Sequence, residues 1–200
     1  MGGSLPVIGK FRQAGFTLIE VLVTFLLTAI GLLGLASLQV STINNGFEAQ
    51  QRAMVTALVD DMAERARMNP EGVKSGTYQS FDPEAPCPDT DPATDHLSPE
   101  GRAAQDQCQW AAMLRGLSVR AAETDASGLS APIGAMGCLD TRGRLGGETV
   151  VRVAVAWQGL TAQVAPFAGC GVGQFINADP IAPIVDETFR RVVYRDVVVR

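Results

Sequence analysis

A chain of 200 residues, 46% of them hydrophobic, can bury one modest core and still carry an appendage. Its formal charge of −5 argues against non-specific binding to nucleic acid, because a phosphate backbone is held by surplus Lys and Arg. Cys87, Cys108, Cys138 and Cys170 include no Cys-x-x-Cys pair, which argues against a zinc knuckle or a thioredoxin-like motif.

Residues 1–15 contain Lys10 and Arg12 and no apolar h-region of their own. An ordinary secretory signal has a short h-region followed by a small-residue cleavage site. Here residues 16–40 form an apolar run longer than the roughly 20 residues that cross a bilayer, with Glu20 as its only charge. Lys10 and Arg12 place the leader in the cytoplasm by the positive-inside rule, and everything after about residue 40 outside the cytoplasmic membrane. A carboxylate in hydrocarbon costs roughly 2.5–3.5 kcal/mol on insertion scales, so Glu20 is a functional residue by default. Loss of residues 1–15 would take Lys10 and Arg12 from 16 basic residues, leaving 14 against 21 acidic ones, or −7.

The helix continues past the apolar run. Ile43, Phe47, Met54, Leu58 and Met62 recur at helical spacing as an amphipathic stripe. Gln50, Gln51, Arg52, Asp60, Asp61 and Glu64 lie opposite, and Asp61 precedes Arg65 at the supportive i,i+4 spacing. Pro70 ends the pattern, since the residue before proline is pushed out of the α region. A helix over 16–68 would be roughly 80 Å long at about 1.5 Å per residue, too long for a small domain, so half of it must protrude. Gly31 and Gly34 either permit close packing or local unwinding, or are ordinary small residues of a membrane helix.

Residues 69–100, rich in Pro, Asp, Ser and Gly, read as an irregular connection. Asp89, Asp91, Asp95 and Glu100 fall on a calcium-loop template, but Ala93 and Thr94 stand at its ligand and glycine positions, and a solvated acidic loop is the better reading. The sole histidine, His96, lies in the same stretch with no nucleophile motif near it. A short helix is expected over 103–116, with Trp110, Met113, Leu114 and Leu117 on one side, and a short strand over 117–122. Glycines and prolines punctuate 128–147. Residues 149–157 give the clearest strand, with Val151, Val153, Val155 and Trp157 alternating with Arg152, Ala154 and Ala156. The valine-dense segment 189–199 is a second strand, its Arg190, Arg191 and Arg195, with Arg200 beyond it, on a solvated face. Trp110 and Trp157 are core aromatics. The expected fold is α+β: a long N-terminal helix packed on a small antiparallel sheet, stapled by disulfides.

An even cysteine count in an exported domain favours disulfides. Three connectivities are possible. Pairing in chain order, Cys87 with Cys108 and Cys138 with Cys170, is the expectation, each bridge contributing on the order of 3 kcal/mol.

The segment Gly15-Phe16-Thr17-Leu18-Ile19-Glu20-Val21-Leu22-Val23 resembles the class III signal of type IV pilins and type II secretion pseudopilins. The resemblance implies a type IV pilin-like fold, cleavage by a prepilin peptidase after Gly15, and methylation of the new amine on Phe16. It implies for Glu20 a register role, its carboxylate facing the cationic Phe16 of a neighbouring subunit in a lipid-free helix bundle. Asp61-Met62-Ala63-Glu64-Arg65 with Asn69-Pro70, the environment of Gln105 to Trp110, and a Val-rich strand ending in Trp157 resemble PilV-type minor pilins (type IV pilus modification proteins).

These resemblances imply a cleaved leader over 1–15, a helix over 16–68 with a transmembrane assembly half to residue 40, and a periplasmic globular domain over 69–200. They imply a non-enzymatic minor pilin of a type IV pilus with roles in pilus assembly and initiation, and hence in twitching motility, adhesion or DNA uptake. The implied partners are the prepilin peptidase, other minor and major pilins, the inner-membrane assembly platform, and the bacterial inner membrane before assembly at the cell surface. No cofactor or metal is expected, and nucleic acid is a disfavoured partner. A minor pseudopilin of type II secretion and a ligand-binding tip adhesin are the alternatives.

Overall fold

Between Thr17 and Pro70 the chain contains no proline, and helix α1 occupies that interval as Leu18–Met68. In the computed structural model, residues 15–79, 98–116, 131–143, 147–176 and 184–199 are described. After α1 come α2 (Pro70–Lys74), α3 (Pro99–Leu114), β1 (Met136–Gly143), β2 (Thr149–Gln158), a 3₁₀ turn (Glu187–Phe189) and β3 (Arg190–Val199). The fold is α+β and pilin-like, a long N-terminal helix with a small antiparallel sheet. The chain divides into two compact units, Met1–Asn45 and Gly46–Arg200.

In the first unit every large apolar side chain from Phe16 to Ile43 is exposed. The threonines hide their polarity in the helix. Thr24 Oγ1 donates to the Val21 carbonyl at 2.9 Å, Thr28 Oγ1 to Thr24 at 2.7 Å, and Thr42 Oγ1 to Leu38 at 2.9 Å. The helix is long and apolar enough to cross a membrane, and none of its most apolar stretch is buried.

In the second unit β2 is central, paired antiparallel with β1 and with β3. Alternate residues of β2 feed two clusters. Val151, Val153, Val155 and Trp157 pack with Val55, Val59, Met62 and Ala66 of α1, Trp110 and Leu114 of α3, and Leu139 and Val197 of the flanking strands. Each such valine stabilises the fold by about 1.5–3 kcal/mol relative to exposure. Ala154 and Ala156 face the other way, against Cys170 and Phe175. Their burial departs from a simple inside–outside alternation: a loop folds over the second face, so the small residues there are covered too.

The helical stripe sits in a different phase from the one expected. Gln51, Val55, Val59, Met62, Ala63 and Ala66 are buried, whereas Phe47 is exposed and Met54 and Leu58 are half-buried. Close approach of the sheet favours the small Val and Ala face over the bulkier Met and Leu flank, and it takes in Gln51, which was expected on the polar side. Of the stretch 69–100 expected as an irregular connection, Pro70–Lys74 form α2, and residues 80–97 lie outside the described residues. Asn69 caps α2, its Oδ1 accepting from the Gly72 N–H at 3.3 Å, and Pro70 stands at the first turn where its missing N–H costs nothing. Helix α3 begins earlier than residue 103, because Ser98 caps it through the Gly101 N–H at 2.9 Å.

Strand β1 was not foreseen among the glycines of 128–147. Its Gly137 pairs with Val155 on the helix-facing side, where an added Cβ would lie 2.5 Å from Trp110 and 2.7 Å from Leu114. The glycine that masks the strand pattern is what admits the indole. Trp110 is fully buried and donates its ring N–H to the Leu58 carbonyl at 2.9 Å, pinning α3 to α1. The expected strand over 117–122, the acidic loop of Asp89, Asp91 and Asp95, and His96 lie outside the described residues.

Candidate functional site

The N-terminal junction is built by one capping motif. Residues 15–17 precede the helix and are exposed, Phe16 at 83%, and no atom lies near the position a Gly15 side chain would take. Thr17 caps α1: its Oγ1 accepts from the Glu20 N–H at 3.3 Å, and its carbonyl accepts from Glu20 and Val21. Thr-x-x-Glu before an apolar run is the sequence signature of a capping box, a signal that the resemblance to a processing motif had overshadowed. Glu20 in the first turn also opposes the positive end of the helix dipole. The Gly15–Phe16 bond therefore lies outside helical hydrogen bonding.

Two of the three stretches that carry the PilV-type resemblance, the end of α1 and the environment of Gln105 to Trp110, meet in the second unit. Arg65 pairs with Asp61 at 2.8 Å, with Asp106 at 3.2 Å, and donates to Gln109 at 2.7 Å. Tyr78 donates to the other Asp106 oxygen at 2.8 Å, and Asn69 Nδ2 donates to the Pro99 carbonyl at 2.7 Å. Burial together with the Asp106 carboxylate pushes the Tyr78 phenol well above its ordinary range. These residues join the end of α1 to α3 through polar bonds that are fully paired, which makes the junction a structural joint without a free reactive group.

A third cluster escaped sequence reading. The Glu48 carboxylate accepts from the Leu160 N–H at 3.0 Å, the Thr161 N–H at 3.1 Å, the Thr161 hydroxyl at 3.0 Å and Gln163 Nε2 at 3.3 Å. Arg191 stands 3.5 Å from it. Burial raises the Glu48 carboxyl, but the bonds from Thr161 and Leu160 and the Arg191 charge outweigh that and hold it below the usual carboxylate range. Asp60 pairs with Arg195 at 3.0 Å. Arg190, expected on a solvated face, is 3% exposed; it pairs with Glu187 and donates to the carbonyls of Pro166, Ala168 and Cys170. The strand arginines are thus structural ties, and Arg200 lies outside the described residues.

A disulfide joins Cys138 of β1 to Cys170 in the loop after β2, closing a separation of 32 residues. Cys108 is also disulfide-bonded, and Cys87, its expected partner, lies outside the described residues. Among the described residues no group of three or more His, Cys, Asp or Glu could hold a metal ion.

Comparison with known proteins isolates the N-terminal segment. A family model, the prokaryotic N-terminal methylation motif, matches residues 10–36, which enclose Gly15, Phe16, Thr17 and Glu20. No curated protein and no solved structure matches the chain. The match supports the type IV pilin superfamily, with processing by a prepilin peptidase and assembly with other pilins.

Proposed function

We propose that this protein is a minor pilin of a type IV pilus, a non-enzymatic subunit that takes part in pilus assembly and initiation. The observation that carries the reading is the methylation motif over residues 10–36. The leader of residues 1–15 is cut after Gly15, and the Phe16 amine is methylated. Residues 16–40 anchor the precursor in the inner membrane, with the globular domain in the periplasm, before the chain enters a filament at the cell surface. Twitching, adhesion or DNA uptake then depends on it through the filament.

The physics of α1 supports this sequence of states. An entirely exposed apolar helix needs lipid or other helices around it. Glu20 is costly in the first setting and useful in the second, where a neighbour's Phe16 cation offsets the desolvation of both charges and fixes the axial register.

Replacing Glu20 by alanine tests the register role. Membrane insertion of the variant should match the wild type, while its recovery in sheared filaments should fall steeply. Normal incorporation would remove the role. Deleting the chain's gene should abolish or reduce piliation while type II secretion continues. Loss of secretion with intact pili would assign the protein to the secretion pseudopilus instead.

A further inference from the structure

The face of the sheet turned away from α1 and α3 carries an open cavity of about 280 Å³. Ala154 and Cys138 of the sheet line it, together with Ala168, Gly169 and Cys170 of the loop after β2. Its charged lining is Asp140, Arg142 and Arg152. The strand register assembles these side chains: Cys138 pairs with Ala154 and Asp140 with Arg152, so alternate residues of both strands share the face. Tyr194 and Asp196 of β3 extend the two rows.

The lining is fixed before any ligand arrives. The Cys138–Cys170 bridge and Arg190, which holds the carbonyls of Ala168 and Cys170, secure the loop side. Arg152 is held twice, by a two-point pair with Asp196 at 2.7 and 2.8 Å and by stacking 4.6 Å over the Tyr194 ring. Arg142 Nε donates to Asp140 Oδ2 at 2.7 Å. Side chains locked in this way lose little freedom on binding.

The same pairs decide what the cavity can hold. Arg142 cancels Asp140 and Arg152 cancels Asp196, in a chain of formal charge −5, so no surplus positive field draws an anion. No bare carboxylate draws a cation either. Hydrogen-bonding capacity is what remains. A guanidinium has more donors than one carboxylate takes, and the Nη1 groups of Arg142 and Arg152 make no hydrogen bond to the described residues. Asp140 likewise keeps Oδ1 as an acceptor. Donors and an acceptor side by side, at no net charge, match hydroxyl groups, which both give and take a proton. An extended peptide fits less well, because β1 and β2 spend their facing backbone groups on each other in the plane of the sheet. Ala154 and the bridge offer an apolar patch for the C–H face of a ring. The volume lies just below the range of about 300–1,000 Å³ for small-molecule sites, which suits one ring.

We propose that this cavity binds one neutral sugar ring of a glycan, with Arg142, Arg152 and Asp140 reading its hydroxyls. The site lies within the unit from Gly46 onward and stands whether or not the chain enters a filament.

The test is saturation-transfer NMR on the full chain in phosphatidylcholine vesicles. The probes are the methyl glycosides of glucose, galactose and mannose. Methyl glucuronide and methyl glucosaminide present the glucose ring with a negative or a positive charge, and an acetylated diserine amide presents hydroxyls on a peptide. Two variants locate the binding. Gly169→Leu narrows the cavity at a position where an added Cβ meets nothing within 4 Å, and Arg142→Gln removes an exposed reader. At least one neutral glycoside should receive saturation, and its Kd should weaken about tenfold in each variant, the scale of a lost charged hydrogen bond. The glucuronide and the glucosaminide should bind no tighter than the glucoside. Absence of transfer to every neutral glycoside overturns the proposal. Tighter binding of either charged sugar overturns it in favour of an ion site, and transfer to the diserine amide alone in favour of a peptide site. Transfer that both variants leave undiminished puts the sugar elsewhere on the chain and overturns it as well.

Discussion

Glu20 and Glu48 are the only acids between Thr17 and Asp60, and opposite surroundings give them opposite tasks. Glu20 is exposed on an apolar helix whose N-terminus Thr17 caps, and the proposed function gives it a partner in a neighbouring subunit. Glu48 is satisfied within the fold by loop donors and Arg191. Because its folded carboxyl is held below the ordinary value of about 4.3, its contribution is full above that pH and is lost as the pH falls through the lowered value. Glu48→Gln should therefore destabilise the protein at pH 7 by about 1–2 kcal/mol, the scale of charged hydrogen bonds. The gap between variant and wild type should close below about pH 4. Thermal unfolding of both chains across that range checks the sign; a gap that widens in acid contradicts it.

At the scale of elements, the legible parts were those whose local pattern and tertiary role agree. The apolar run and the stripe ended by Pro70 gave α1, alternating valines gave β2, and valine density gave β3. Strand β1 was hidden because Gly137, Asp140 and Arg142 break the alternation, the glycine for Trp110 and the charges for an exposed ion pair with each other. The α1 stripe is shifted in phase because spacing and polarity alone do not register that the closely packed sheet takes the Val and Ala face. Glu48 had no local signature at all, since its partner Leu160 lies 112 positions away. The β1 account makes its own prediction. Gly137→Ala should cost about 1–3 kcal/mol through overpacking against Trp110 and Leu114. Urea unfolding followed by Trp110 fluorescence reads both the loss of stability and the altered indole environment, and an unchanged midpoint would refute the tight fit.

At the scale of the whole molecule, the proposed function has one chain serve two solvents in succession. The apolar half of α1 has no partner of its own, whereas the unit from Gly46 onward closes two clusters around β2 and joins β1 to the loop after β2 by a disulfide. Under the proposed function, that division lets the globular unit fold before assembly while the helix waits in lipid for other helices. The proposed function depends on the exposed junction before the Thr17 cap being a processing site. The intact mass of the protein recovered from cells with an active prepilin peptidase tests it most directly. The account predicts a chain that begins at Phe16 and carries one methyl group on its amine. A chain that retains residues 1–15, or is cut elsewhere, would contradict it.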